Sequence, residues 1–77
     1  MKEVTIYSTP TCHFCHAAKD FFTENNVAYK DIDLGTNPDK IGEMVEKSGQ
    51  RGVPVILIGD DVVVGFDEEM LREKLGL

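Results

Sequence analysis

The apolar positions of this chain change their spacing several times, and each change marks an element. Val4-Thr5-Ile6-Tyr7 alternates as a short strand does, and Ser8-Thr9-Pro10-Thr11 breaks it. From there Phe14, Ala17, Ala18, Phe21 and Phe22 recur at i, i+3, i+4, i+7 and i+8, one face of an amphipathic helix that should end near Asn25-Asn26. Val27 to Leu34 is the next strand candidate, with Tyr29 and Ile32 as its best β formers. Its apolar phase slips, so its register stays open. Gly35-Thr36-Asn37-Pro38 turns into a second helix, with Asn37 as N-cap and Pro38 at the first helical position. Ile41, Met44 and Val45 supply its buried stripe, and Gly49 stops it.

Val53-Pro54-Val55-Ile56-Leu57-Ile58 is nearly all apolar, as expected of a strand covered on both faces. Gly59-Asp60-Asp61 returns the chain into Val62-Val63-Val64 as a hairpin. The last helix opens at Asp67, with Phe66 and Leu71 placed as a hydrophobic staple, and closes at Leu75-Gly76. The order is βαβαββα: an α/β fold with a four-stranded mixed sheet between three helices, in one domain over residues 1–77. The first βαβ unit should be parallel and right-handed, and the hairpin adds two strands antiparallel to it.

A chain of 77 residues buries only about 60% of its unfolded surface, which leaves a thin stability margin. Composition still places it among globular chains, at 42% hydrophobic and 29% charged residues. The net charge of −6 argues against nucleic acid or an anionic membrane surface as partner. Much of that charge falls in residues 59–77, where six acids meet two bases, and Asp67-Glu68-Glu69 reads as a solvated helix start. The longest apolar run, Val53–Ile58, is far below the ~20 residues a membrane helix needs. Met1-Lys2-Glu3 meets an acid at once and opens no apolar signal segment. A reducing cytoplasm is the default compartment. Tyr7, Tyr29 and the three methionines read as packing residues.

The two cysteines, Cys12 and Cys15, close too short a loop to stabilise the fold by cross-linking. Chemistry is the better reason for them. Thr11-Cys12-His13-Phe14-Cys15-His16 lies where the first strand hands over to the first helix. A helix N-terminus offers unpaired N–H groups and roughly half a positive charge, and lowers a cysteine pKa from about 8.5 into a range of roughly 3.5–7.5. Cys12 precedes the helix and should be exposed; Cys15 shares a side with Ala18 and Phe22 and should be buried and less acidic. That asymmetry suits exchange in which Cys12 attacks a disulfide and Cys15 resolves the mixed disulfide. His13, His16 and Lys19 are candidate sources of nearby positive charge, or simply exposed polar side chains. As metal ligands, Cys12, His13, Cys15 and His16 lack the second pair a structural zinc site takes, so no metal site is assigned. An iron–sulfur cluster bridging two chains stays open.

Three signals in order resemble the glutaredoxins: Cys12-x-x-Cys15 after a first strand, Gly52-Val53-Pro54 opening the third, and Gly65-Phe66-Asp67 before the last helix. The likeness covers essentially the whole chain. It implies a thioredoxin-like fold and a monomeric dithiol–disulfide oxidoreductase with no bound cofactor. Cys12 would be the nucleophile and Cys15 the resolving thiol. Pro54 would be cis and face the cysteines, and glutathione would serve as co-substrate. The Val53 backbone would hold its extended segment, Gly65 and Asp67 its γ-glutamyl end, and Gln50 or Arg51 its glycyl carboxylate, with His13 and Phe14 flanking the nucleophile. Substrates would be protein disulfides or glutathione mixed disulfides, with thioredoxin reductase as the other possible electron source, as in the redoxins that serve ribonucleotide reductase. Three positions depart from the family pattern. Thr9 stands where glutathione-binding members commonly carry lysine, Val64-Gly65 replaces a Gly-Gly pair, and His13-Phe14 replaces Pro-Tyr between the cysteines. An ionisable His13 beside a Cys12 thiolate would favour the reduced form and make the disulfide more oxidising.

Overall fold

The structure, a computed structural model, describes residues 3–77. Met1 and Lys2, which the sequence reading counts in a polar N-terminus and as packing filler, lie outside the described residues. The elements are β1 (Val4–Ser8), α1 (His13–Glu24), β2 (Lys30–Asp33), α2 (Ile41–Ser48), β3 (Val55–Ile58), β4 (Asp61–Val64) and α3 (Glu68–Leu75). The sheet runs β2-β1-β3-β4, with β1 and β2 parallel and the other two pairs antiparallel.

Period-two alternation sorts the strand residues onto two faces. Val4, Ile6, Ile56, Ile58 and Val63 join Ala18, Phe21 and Phe22 of α1 and Leu71 of α3 in one core. Tyr7 and Val55 meet Leu34 and Met44 of α2 in the other, with Ile32, Ile41, Val45 and Leu57 around them. Two helices therefore cover one face and one helix the other. Asp67 caps α3 by accepting the Met70 N–H at 3.1 Å, as expected, and Phe66 packs against the core that holds Leu71. Gly49 and Gly76 end α2 and α3 in the left-handed region, at φ +76° and +74°.

Four local expectations change. The third strand begins at Val55 and not at Val53, because Pro54 has no N–H to give a ladder. The second strand is shorter than Val27–Leu34, because Asn26 turns at φ +56° and the Val27 N–H closes back on the Phe22 carbonyl at 2.8 Å. Asn37 does not cap a helix with its side chain. Its Nδ2 donates to the Asp33 carbonyl and to Thr36 Oγ1, and Pro38–Lys40 forms one 3₁₀ turn before α2. Phe14 leaves the buried stripe and is 61% exposed. It shares a helical line with Phe21 but sits seven residues, or about 10.5 Å, closer to the N-terminus. At that end its ring meets His13 edge-on instead of the core.

The α2 face carries a polar tie. Tyr7, only 1% exposed, donates its hydroxyl hydrogen to Glu43 Oε2 at 2.7 Å. That bond, with help from Lys40, Lys47 and Lys30, holds the Glu43 carboxyl below the ordinary carboxylate range against the opposing effect of burial. A carboxyl with a depressed folded pKa stabilises the fold above its unfolded value, near 4.3, and that contribution fades as pH falls through the folded value. Tyr7→Phe should therefore lose stability less steeply than the wild type on acidification from pH ~5 to ~3. Urea midpoints across that range measure it, and parallel acid limbs for the two proteins would refute the linkage.

Candidate active site

β1 ends at Ser8, and the turn that follows is closed by the Cys12 N–H on the Thr9 carbonyl at 3.2 Å. Cys12 is the N-cap of α1, with extended backbone at φ −83°, ψ 113°. Its Sγ accepts the Cys15 N–H at 3.2 Å, and its carbonyl accepts the His16 N–H at 3.3 Å. The sulfur thus takes the place that a serine or aspartate oxygen usually occupies at a helix start. His16 Nε2 donates to the Pro10 carbonyl at 3.0 Å and ties the loop on the other side of Cys12. The His13 ring makes no hydrogen bond to Cys12 among the described residues and instead packs on Phe14, centroids 6.0 Å apart.

The two sulfurs differ as expected. Cys12 is partly exposed, while Cys15 is fully buried in line with Ala18 and Phe22. Burial first, then the hydrogen bond and charge shared with Cys12, push the Cys15 thiol up to about 12. A backbone hydrogen bond from Thr9 and the charge of Lys19 act in the opposite direction. Lys19 is itself held: its Nζ lies 2.8 Å from Asp31 Oδ2, and Asp31 Oδ1 accepts the Ser8 hydroxyl at 2.8 Å. Sequence reading offers Lys19 only as one of three nearby cations. Its i, i+4 spacing from Cys15 was a usable signal, whereas the Asp31 partner needed the β1–β2 register.

The other predicted residues gather at the same end of the sheet. Tyr7 pairs with Val55, and Val55 with Val64, so the end of β1, the start of β3 and the end of β4 lie side by side. Pro54 is buried there behind a cis Val53–Pro54 peptide bond, and its carbonyl accepts the Gly65 N–H at 2.8 Å. Gly65 holds φ +83°, which favours glycine at that corner. Val53 stands outside the β3 ladder, and its backbone N–H and carbonyl have no partner among the described residues. Asp67 follows, exposed, with Oδ1 engaged by α3. Arg51 is exposed and unpaired among the described residues. Gln50 is occupied: its amide accepts the Gly52 N–H, donates to the Gly52 carbonyl at 2.9 Å and reaches Ser48.

The glutaredoxin family pattern matches residues 4–63. A glutaredoxin of Neisseria meningitidis (serogroup A) is 39% identical over 79 positions, covering 100% of this chain and 93% of that protein. The crystal structure of a glutaredoxin from Archaeoglobus fulgidus superposes with a TM-score of 0.89 at 30% identity, over 97% of this chain and 87% of that one. The glutaredoxin-like NrdH-redoxin of Escherichia coli, described as having a thioredoxin-like activity profile, superposes with a TM-score of 0.80 at 28% identity over 92% of each chain. A thioredoxin-like fold, a cysteine pair at the mouth of its first helix and this span of likeness together establish that the chain belongs to the glutaredoxin family of thiol–disulfide oxidoreductases.

Proposed function

We propose that this protein reduces protein disulfides and glutathione mixed disulfides through Cys12 and Cys15, and that glutathione returns the electrons. One observation carries the reading: a partly exposed sulfur caps α1 and accepts the Cys15 N–H, while the second sulfur, three residues on, is fully buried. Such a setting leaves one sulfur open to a substrate disulfide and keeps a second one turn behind it to resolve the exchange. The Cys12 thiolate attacks one sulfur of the substrate disulfide, and the departing thiolate takes up a proton. Cys15 then loses its proton and attacks the Cys12 sulfur, releasing the second substrate thiol. Two electrons have moved to the substrate, and the Cys12–Cys15 disulfide remains. Two glutathione molecules reverse it by the same exchange.

For the glutathione cradle, the unpaired Val53 backbone suits an extended peptide segment and Arg51 suits its terminal carboxylate. Asp67 keeps one oxygen clear of the helix cap for an ammonium group, at the corner that Gly65 turns. Gln50 takes no part in this cradle, because its amide is bound within its own loop. His13 and Phe14 present an exposed rim beside Cys12 for a protein substrate. Glutathione and the substrate are thus the partners, the protein acts as a monomer in a reducing cytoplasm, and no bound cofactor takes part.

Thr9, in place of the lysine common in glutathione binders, favours a second reading in which thioredoxin reductase supplies the electrons. The likeness to NrdH-redoxin points the same way. A coupled NADPH-consumption assay separates the two. Glutathione with its reductase should support turnover of a disulfide substrate, and thioredoxin reductase alone should not. Turnover only with thioredoxin reductase would replace the first donor with the second.

A further inference from the structure

In the exchange just described, the sulfur with no solvent contact has to become an anion. Neither histidine helps it: the His13 ring lies against Phe14, and His16 is spent on the Pro10 carbonyl. The groups that surround Cys15 are Cys12 and the Thr9 backbone from the loop and Lys19 from its own helix. Behind Lys19 stand Asp31 of β2 and Ser8 of β1. Lys19 lies one turn beyond Cys15 along α1, and among the described residues it is the cation whose charge acts on the buried sulfur.

An ordinary surface lysine carries a compact charge on a flexible stem and spreads over many rotamers. This one does not have that freedom. Its side chain is 20% exposed, and its Nζ is 2.8 Å from Asp31 Oδ2. Asp31 is fixed in turn by the hydroxyl of Ser8, itself 1% exposed. The chain Ser8–Asp31–Lys19 therefore fastens the ammonium of α1 to β1 and β2, with a reach set by two strands and a helix.

We infer that Lys19, clamped by Asp31 and through it by Ser8, is the positioning residue for the resolving step: it holds a cation beside Cys15 so that this thiol can ionise and attack the Cys12 sulfur. The inference rests on the reading of Cys12 as nucleophile and Cys15 as resolving thiol. It also explains the order of events. In the reduced protein, negative charge at Cys12 opposes a second one at Cys15. Once Cys12 is bound in a mixed disulfide that opposition is gone, and the Lys19 charge, reduced by its Asp31 partner, acts with the Thr9 backbone hydrogen bond against burial. The Cys15 proton passes to solvent or to the departing thiolate. The Cys15–Cys12 bond forms as the Cys12–substrate bond breaks.

Stopped-flow mixing of the reduced protein with a chromogenic aromatic disulfide tests this, since each of the two steps releases one coloured thiolate. In Lys19→Gln the first release should keep its wild-type rate, while the second slows about tenfold at neutral pH, the factor that one pKa unit represents. The pH profile of the second phase should move to higher pH, and Lys19→Arg should recover most of the rate. A second phase unchanged in Lys19→Gln, or both phases slowed alike, would overturn the role of Lys19. Loss of the first release in the wild type would instead strike at Cys12 and the exchange reading itself.

Discussion

Cys12→Ser should bring disulfide reduction down by a factor of about a thousand or more, the scale on which removing a covalent nucleophile acts. A serine hydroxyl can replace the sulfur as helix cap, since serine is among the preferred N-cap residues. The fold should therefore survive while the chemistry stops, because a hydroxyl ionises far above neutral pH and forms no stable bond to a disulfide sulfur. Cys15→Ser differs in kind. Its Cys12 still attacks, but nothing inside the protein displaces the bound partner. Incubation with a protein disulfide should leave a stable mixed disulfide, visible as an added mass that dithiothreitol removes. Turnover by Cys12→Ser near the wild-type rate, or an adduct on residue 15 in place of 12, would refute the assignment of roles. The alkylation pattern checks the same asymmetry without mutation. Iodoacetamide should modify Cys12 of the native reduced protein well before the buried Cys15, and equal rates would show that the burial difference does not govern access.

This asymmetry was legible in the sequence because it is local. Cys15, Ala18 and Phe22 repeat at helical spacing, so any helix beginning near residue 13 turns Cys15 inward and leaves Cys12 at the rim. The order of elements and the cap at Asp67 were legible for the same reason. The second strand was harder, and its apparent slip of phase has a simple cause. Val27 and Tyr29 pack on the core that holds α1, whereas Ile32 and Leu34 pack on the core that holds Met44 of α2. Only Ile32 of the four lies in β2, so the apolar residues change face along the segment. One-dimensional periodicity assumes a single buried face and reads such a strand as irregular. The hidden register also hid the pairing of Asp31 with Ile6, and with it the clamp on Lys19. The glutathione contacts came from resemblance alone. In the structure Arg51 and the Val53 backbone are free among the described residues, Asp67 caps α3, and Gln50 is bonded within its own loop. Phe14 shows the limit of a helical wheel, which gives angle around the axis but not position along it.

Phe14 and Phe22 therefore give opposite expectations from the same residue type on the same helix. Phe22 has no solvent exposure, stands seven residues beyond Cys15, and packs against Tyr29 at 5.3 Å and Phe21 at 5.9 Å between ring centres. Truncating a core phenylalanine to alanine costs about 3–5 kcal/mol through lost transfer energy and the cavity left behind. A chain of 77 residues has a total stability on the order of 4–12 kcal/mol. Phe22→Ala should thus remove much of the margin, with a urea midpoint lower by a few molar at slopes of about 1 kcal/mol per molar. The folded fraction should also lose protection at Cys15, because α1 is anchored to the sheet through this ring and its neighbours. Alkylation of Cys15 in native buffer should then approach the rate at Cys12. Phe14→Ala should shift stability by no more than about 0.5 kcal/mol, as an exposed substitution does. Its effect should fall on KM for a protein disulfide, with kcat nearly constant, because the exposed ring borders the nucleophile and is not part of the core. A Phe22→Ala protein as stable as the wild type would mean that the ring is not what holds the helix and its two sulfurs in place.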